Sequence, residues 1–317
     1  MIPRLDISFP VRRQWQFWFG KDYIPSENEF LLNHARSGIV LALKTICIGA
    51  KVGVVTYNCH TVANAVVNAG CKPIFIDVTN QLAIDIHDAN IAVCDALIVT
   101  NLFGIHNDIK AIKGLYPNII IIVDNAHGYG LPNDGDFTVY SINQGKYPAL
   151  GPGGILLVNN QRYLPQIKNV IQQLDYGMSY CKQMKVFLSM QLKAFLYIPI
   201  IYGLITRKIK RHRAVGSNKS KIDVTLMCPG VSKIYNAWKE KHKGQVFKPF
   251  MDVIHTNNVQ HIIEEYSRKG IEVDTHFKNC IVWAREFGYK DGSCPNSERL
   301  VNELVMIPNY FKYERMD

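Results

Sequence analysis

The sequence lacks the cysteine and histidine spacings that bind structural zinc. It contains eight cysteines in 317 residues, but no CxxC pair and no cluster of cysteine and histidine at metal-ligand spacing. Residues 1–13 also lack the apolar core of a secretory signal. These absences argue against zinc-binding and secreted classes, and we expect a reduced cytoplasmic location and no metal site.

Long uninterrupted hydrophobic runs are scarce as well. Residues 184–206 are strongly apolar, but their uncharged part, 194–206, is only 13 residues long and contains Pro199 and Gly203. Because a helix that spans a bilayer needs about 20 apolar residues, we expect no spanning helix here. Hydrophobic residues make up 48% of the chain and charged residues 20%, which is typical of a globular protein with a sizeable core.

Positive charge is concentrated in one part of the chain. The formal net charge is +10, and residues 180–243 contain 14 Lys and Arg against Asp223 and Glu240. A cationic cluster at 207–213 directly follows the apolar segment. Two interpretations remain open: residues 184–213 contact the inner membrane face peripherally, or a helix at a dimer contact precedes a solvated basic loop. Nucleic acid is not an expected partner, because the cluster is short and has no interleaved aromatic residues.

Short apolar runs alternate with segments of helical periodicity in the first half of the chain. This order indicates βαβ units and predicts an α/β fold, a three-layer, mostly parallel sheet with helices on both faces. The predicted helices are residues 35–46, 60–68 and 107–115, and the predicted strands are 52–56, 73–77, 96–100, 119–123, 137–140 and 155–158.

The length of the chain predicts one large domain and a smaller one. We place a large α/β domain at residues 1–178, an apolar and basic insertion at 179–228, and a small α+β domain at 229–317. Within the small domain, the pattern predicts helices at 230–243 and 257–269 and strands at 246–253 and 271–276.

Polar residues follow several of the predicted strands. Asp124 directly follows the strand 119–123, and Lys146 lies shortly after the strand 137–140. Ligands of parallel α/β sheets bind at the carboxyl ends of the strands. The cofactor pyridoxal phosphate (PLP) requires an amine held out of bulk water and facing a carboxylate, because desolvation lowers the lysine pKa. The alternatives are a solvated loop lysine and an Asp that only caps a turn.

Four stretches of the chain resemble one enzyme family, in the same order. They are residues 35–43 (ARSGIVLAL), 57–66 with 69–78 (YNCHTVANAV and AGCKPIFIDV), 123–130 (VDNAHGYG) and 141–154 (SINQGKYPALGPGG). These stretches are similar to the PLP-dependent sugar aminotransferases of the DegT/DnrJ/EryC1/StrS family. The resemblance implies the aspartate aminotransferase fold, also called PLP fold type I.

The resemblance implies two catalytic residues. Lys146 matches the lysine that holds PLP as a Schiff base, and it would also move the substrate proton. Asp124 matches the carboxylate that pairs with the protonated pyridine nitrogen. His127 matches a position beside the ring hydroxyl group, with an ordinary loop histidine as the alternative.

The resemblance also implies the remaining cofactor-binding residues. Arg36 and Ser37 begin a helix whose free N–H groups would hold the cofactor phosphate, and Ser141 matches a serine that contacts the same phosphate. Either Cys59 or His60 occupies the position of the aromatic residue that stacks on the ring. The sequence does not decide between these two.

The activity that the resemblance implies is transamination. Glutamate would donate the amino group to a nucleotide-linked keto sugar, in the synthesis of cell-surface polysaccharide, lipopolysaccharide or related amino sugars. We expect the chain to form a homodimer and to be located in the cytoplasm. The sequence leaves the sugar, its nucleotide and the aminated carbon open.

Departures from the family pattern support one alternative. Pro152 stands where the family has a glutamate, and the chain has no clear counterpart of the asparagine that reaches the phosphate from the neighbouring subunit. The alternative is a catalytically degenerate PLP-fold protein that acts as a binding or regulatory partner. A dehydratase is less favoured, because such relatives tend to replace the lysine that is present here as Lys146.

Overall fold

The computed structural model describes most of the chain. The described residues are 1–3, 5–46, 49–174, 178–209, 219–243, 249 and 251–309, with backbone alone at 206–209. The basic residues 210–213 lie outside the described residues, as do residues 246–248 and 250 of the predicted strand 246–253.

A seven-stranded, mostly parallel sheet is the centre of the described chain. Its strands are β1 (Glu29–Leu32), β2 (Lys51–Val55), β3 (Lys72–Ile76), β4 (Ala96–Thr100), β5 (Ile120–Asn125), β6 (Phe137–Ser141) and β7 (Gly154–Val158), in the order β1-β7-β6-β5-β4-β2-β3. Strands β2 to β6 are parallel, whereas β7 is antiparallel to both β6 and β1. The six predicted strands are confirmed, and the edge strand β1 was not predicted.

The helices lie before, between and after these strands in the chain. They are α1 (Val11–Phe19), α2 (Ala35–Ile46), α3 (His60–Asn68), α4 (Ile109–Leu115), α5 (Leu164–Gln172), α6 (Tyr180–Leu196), α7 (Pro199–Ile209), α8 (Pro229–Lys241), α9 (Val259–Arg268), α10 (Cys280–Glu286) and α11 (Pro295–Leu300). The helices predicted at 35–46 and 60–68 have the predicted bounds. The fold class is therefore confirmed.

Neighbouring strands bury alternate residues on opposite faces, as the two-residue period of a strand requires. Leu97, Val99 and Ile121 contribute to one core, whereas Ile98 and Ile122 contribute to the other. Helices α2, α3 and α5 cover the core that contains Ile98, and α4 and α10 cover the core that contains Leu97. Because both faces of the central strands are buried, polar groups at the strand ends are held by a rigid frame.

The C-terminal part forms a smaller sheet of β8 (Met251–His255) and β9 (Leu304–Pro308), which pair antiparallel. The predicted helices at 230–243 and 257–269 are confirmed as α8 and α9. The strand predicted at 271–276 is wrong, since only isolated bridges occur, from Ile271 to Ile2 and from Asp274 to Met306. The Asp274 carboxylate accepts the Thr275 N–H at 2.8 Å, which turns the chain away from a continuous ladder.

The segment before α8 lies against the large sheet. Leu226 bridges to Leu32, the Asn64 side chain donates to the Ser220 carbonyl at 2.9 Å, and helix α8 packs against α1. The domain boundaries at 178 and 228 stay a prediction.

Helices α6 and α7 meet at a bend of 80°. Within the described ranges, no single helix is both long enough and apolar enough to cross a membrane. The bent pair Tyr180–Leu196 and Pro199–Ile205 reaches that length and apolar composition when the two are taken together.

Candidate active site

The carboxyl ends of the parallel strands β4, β5 and β6 bring polar residues together, among them the predicted Asp124 and Ser141. Thr100 at the end of β4 is in register with Asp124 near the end of β5. Ser141 at the end of β6 is in register with Gly154 at the start of β7. Because parallel strands end at one edge of the sheet, residues far apart in sequence line a common site.

A turn after β6 directs Lys146 into this site. The preceding Ile142 is fully buried and fixes the start of the turn. Gly145 has φ +84°, a conformation that residues with a Cβ rarely adopt, and its N–H donates to the Asp6 carbonyl at 2.6 Å. The Lys146 N–H then donates to the Asn143 carbonyl at 2.9 Å and closes the turn.

Lys146 forms a short contact with His127. The distance from Lys146 Nζ to His127 Nε2 is 2.6 Å, and His127 Nδ1 accepts the Phe103 N–H at 3.2 Å. Since Nδ1 is an acceptor, the single proton of a neutral imidazole must be on Nε2. That N–H donates to Lys146 Nζ, which can accept only as a neutral amine. The contact is therefore compatible with the neutral, nucleophilic form of Lys146.

The surroundings of Lys146 favour the same protonation state. Burial lowers the pKa of Lys146, while the negative charges of Cys59 and Asp124 oppose this by favouring the ammonium form. Burial, together with the charges of Lys146 and His276, lowers the pKa of His127 well below its ordinary value. Both shifts favour the uncharged form of the side chain concerned.

Asp124 is 4% exposed and is held by two donors. Its carboxylate accepts the Ala126 N–H at 3.0 Å and the Thr100 hydroxyl at 3.4 Å. The Asn58 side chain donates to the Thr100 oxygen at 2.9 Å, so the hydroxyl proton of Thr100 is directed at Asp124. Burial raises the pKa of Asp124 despite these bonds and the charge of Lys146. A buried carboxylate of this kind suits a cationic partner such as a protonated ring nitrogen.

Cys59 and His60 face different neighbours. The Thr61 hydroxyl donates to Cys59 Sγ at 3.1 Å, and Cys59 interacts electrostatically with Lys146 and Arg36. Burial raises the pKa of the Cys59 thiol, but the adjacent His60 and the bond from Thr61 outweigh burial and bring this pKa to about 7. The His60 ring instead packs edge-to-face on Trp283 with centroids 5.0 Å apart.

The start of α2 lies directly against β7. A Cβ on Gly154 would lie 2.1 Å from the Ala35 backbone nitrogen, so only glycine permits this approach. The register of Gly154 with Ser141 places the start of α2 close to the end of β6. Arg36 is partly buried, and burial lowers its pKa, while Ser37 is fully buried and donates to the Asn33 side chain at 2.7 Å. The site therefore has a cationic end at a helix N-terminus, which suits a phosphate.

The side chains of this site match the groups that PLP needs. The cofactor needs an amine that is readily neutral, a carboxylate for its ring nitrogen and an anion site for its phosphate. The structure supplies Lys146 with a lowered pKa, Asp124 buried among donors, and the start of α2 next to Ser141.

Sequence reasoning assigned no role to several residues that support the site. Asn58 and Thr100 orient Asp124, and the aromatic rings of Phe103 and Phe277 enclose His127. The Phe277 ring lies nearly parallel to the His127 ring, with centroids 5.9 Å apart. Asn58 and Thr100 could have been found from their positions at strand ends. Phe277 lies beyond residue 270, and no local pattern connects it to His127.

The DegT/DnrJ/EryC1/StrS aminotransferase family model matches residues 21–193 of the chain, which is more than half of it. The chain is also similar to the uncharacterized protein MJ1066 of Methanocaldococcus jannaschii. The two are 23% identical over 327 residues, a match that covers 92% of this chain and 83% of that protein.

Solved structures share the fold at low sequence identity. The aminotransferase TlmJ from Streptoalloteichus hindustanus has a TM-score of 0.63 at 14% identity, and the match covers 97% of this chain and 93% of TlmJ. The sugar aminotransferase CalS13 from Micromonospora echinospora has a TM-score of 0.60 at 13% identity, with 97% and 94% covered. The PLP form of Spr1654 from Streptococcus pneumoniae has a TM-score of 0.61 at 13% identity, with 97% and 93% covered.

Proposed function

The chain belongs to the DegT/DnrJ/EryC1/StrS aminotransferase family and is a PLP-dependent aminotransferase, and from this premise we propose its substrates. Glutamate donates the amino group, and a nucleotide-linked keto sugar accepts it. The product feeds the synthesis of cell-surface polysaccharide, lipopolysaccharide or related amino sugars. The observation that supports an amino-transferring site is the contact of Lys146 with His127 at 2.6 Å, in a site that also contains Asp124, and the family match supports the choice of substrates.

PLP, when bound, supplies an electron sink for the carbon that loses its proton. Asp124 would pair with the protonated ring nitrogen, and Thr100 and Asn58 keep its carboxylate in place. Arg36 and Ser141 would hold the phosphate at the start of α2, and the buried Ser37, which donates to the Asn33 side chain, would keep that helix start in place. Together with Asp124, these residues would hold the cofactor at both ends.

Lys146 would hold the cofactor and would move a proton at the amino-bearing carbon of the substrate. Its neutral form can accept that proton, and His127 Nε2–H orients its amine from 2.6 Å. The aromatic rings of Phe103 and Phe277 exclude water on the far side of His127. Water exclusion keeps the pKa of Lys146 low and favours proton transfer over hydrolysis.

The choice of a sugar acceptor is supported by the family and by the sugar aminotransferase CalS13, whose fold matches nearly the whole chain. We also propose that the protein acts as a homodimer in the cytoplasm. Sedimentation analysis of the full chain would test the oligomeric state, with one mass of twice 36.1 kDa expected. A monomer at assay concentrations would contradict it.

The two substrates can be tested separately. Protein loaded with PLP is mixed with glutamate alone, and we expect about one equivalent of 2-oxoglutarate per site. Nucleotide-linked keto sugars are then added one at a time with excess glutamate, and amino-sugar products are measured by mass spectrometry. The Lys146→Ala variant is the control for both steps.

The outcomes separate the donor from the acceptor. Glutamate turnover without any aminated nucleotide sugar would overturn the acceptor proposal alone. No response to glutamate, with a clear response to another amino acid, would overturn the donor. A PLP-loaded protein that responds to no amino acid would contradict transamination itself.

A further inference from the structure

Helices α6 and α7 carry large apolar side chains on their outer side. Leu188, Leu192, Phe195, Ile200 and Leu204 are each between 56% and 77% exposed. We call this set the α6–α7 face. Leu188, Leu192 and Phe195 follow the spacing of one side of a helix, so they form a patch rather than scattered exposures. Apolar patches of this kind mark a surface that a partner covers.

The opposite side of α6 is packed against the protein. Met190 is 2% exposed, and the Phe187 ring contacts the rings of Phe9 and Phe17 with centroids 5.5 and 5.3 Å apart. The N-terminal ammonium group of Met1 donates to the Pro199 carbonyl at 3.1 Å, at the junction of α6 and α7. The face is therefore presented outward by a helix pair that is anchored at its base.

Charge distinguishes a lipid surface from a second copy of the chain. Residues 176–222 contain ten Lys and Arg and not one Asp or Glu. Three of these cations, Lys182, Lys185 and Lys193, are exposed on α6 among the leucines. Long lysine side chains can extend to a headgroup layer while neighbouring leucines enter the acyl boundary. Two copies meeting at this face would bring like charges together, whereas an anionic bilayer would neutralise them.

We propose that the α6–α7 face docks the protein on the surface of an anionic lipid bilayer. The pair lies in the interface and does not cross it. Helix α6 has 17 residues and carries three lysines, so at about 1.5 Å per residue it is shorter than the hydrocarbon layer. The bend of 80° lets both helices lie along a surface while Met190 stays in the protein core.

Vesicle flotation of the full PLP-loaded chain tests this proposal. Vesicles of phosphatidylcholine alone are compared with vesicles that also contain phosphatidylglycerol. We expect binding to the anionic vesicles and a loss of binding as salt rises, because salt screens the lysines. The variant Leu188→Gln/Leu192→Gln/Phe195→Gln should weaken partition about tenfold or more.

A matched control uses apolar residues of similar exposure elsewhere. Val93 and Leu115 are 53% and 50% exposed, so Val93→Gln/Leu115→Gln removes exposed apolar surface without touching α6. This control should bind vesicles as the unchanged chain does. A second variant, Lys182→Gln/Lys185→Gln, removes charge but keeps the leucines, and it should reduce binding to anionic vesicles specifically.

Three outcomes would overturn the proposal. The unchanged chain floats with neither kind of vesicle, or both α6 variants bind as well as the control. Alternatively, the leucine variant keeps vesicle binding but changes the sedimentation mass, which identifies a second copy of the chain as the occupant. Far-UV circular dichroism of each variant establishes that it is folded.

Discussion

The carboxyl edge of the sheet buries polar side chains, whereas the α6–α7 face exposes apolar side chains to solvent. At the sheet edge, Asp124, Asn58 and Thr100 are buried, and each has a hydrogen-bond partner. On the α6–α7 face, leucines are exposed to solvent. Buried polar groups that are fully partnered form a prepared site, whereas exposed apolar groups indicate a partner outside the chain.

The two regions are expected to have different roles, turnover for the sheet edge and membrane binding for the α6–α7 face. The sheet edge should control turnover and leave vesicle binding unchanged, and the α6–α7 face should do the reverse. Variants in the two regions can therefore be measured with the same pair of assays.

The largest effect is expected for Lys146→Ala. Removal of the amine removes both the group that binds the cofactor covalently and the group that moves the proton, so turnover should fall by about 10⁴-fold or more. Vesicle flotation should not change. Lys110→Ala, at an exposed position on α4, is the control and should keep full activity. Transamination by Lys146→Ala at the original rate would refute the assignment.

Asp124→Asn should have the next largest effect. An amide cannot stabilise a protonated ring nitrogen as a carboxylate does, so we expect kcat to fall roughly 10²–10³-fold. The amide oxygen can keep the bond from the Ala126 N–H, while the amide NH2 can donate to the Thr100 hydroxyl oxygen, so the fold should be retained. Steady-state kinetics with glutamate measures the loss. If kcat stayed the same and only KM changed, Asp124 would not act on the reacting system.

Gly154→Ala should reduce stability and cofactor affinity. The new Cβ would overlap the Ala35 backbone nitrogen at 2.1 Å and push the start of α2 away from Ser141. Overpacking of this kind costs about 1–3 kcal/mol of unfolding free energy. Gly114→Ala on α4 is the matched control, because no atom lies within 4 Å of its Cβ, and it should be neutral or slightly stabilising. Urea unfolding compares the two, and equal midpoints would contradict the packing account.

The smallest effect is expected for Cys59→Ala. Because the pKa of the Cys59 thiol is about 7, this group is largely anionic above neutral pH and raises the pKa of Lys146. Without that charge, the pKa of Lys146 should fall, and the pH at which PLP uptake is half-maximal should move lower. Cys181→Ala, exposed on α6, should leave this pH unchanged. A shift to higher pH would show that Cys59 does not act through its charge.

Much of the fold was predictable because the sequence shows clear apolar runs for the buried strands and clear helical spacing for the helices. The strand 96–100 and the helix 60–68 were predicted with their observed bounds, since continuous apolar runs and helical spacing leave little ambiguity. The strand at 271–276 was mispredicted because its apolar residues pack under α9 and β9 without forming a ladder. An apolar pattern indicates that the side chains are buried, and pairing in a β-ladder is only one of the structures in which they can be buried.

The site was predictable to the extent that strand ends are predictable. Asp124, Lys146 and Ser141 follow apolar runs and could be placed at one edge of the sheet. The contact between Lys146 and His127 could not be predicted, because the His127 ring is oriented by the Phe103 N–H bond, and Phe103 has a positive φ that no local pattern indicates. The outward face of α6 also could not be predicted, since composition does not tell which side of an apolar helix is buried.

The most direct test of the central claim is chemical trapping of the cofactor on the protein. The PLP-loaded chain is treated with borohydride, which makes the bond between the cofactor and a lysine permanent, and its peptides are analysed by mass spectrometry. The account predicts a pyridoxyl phosphate group on Lys146 within residues 141–154. Labelling of another lysine, or labelling of none, would contradict it.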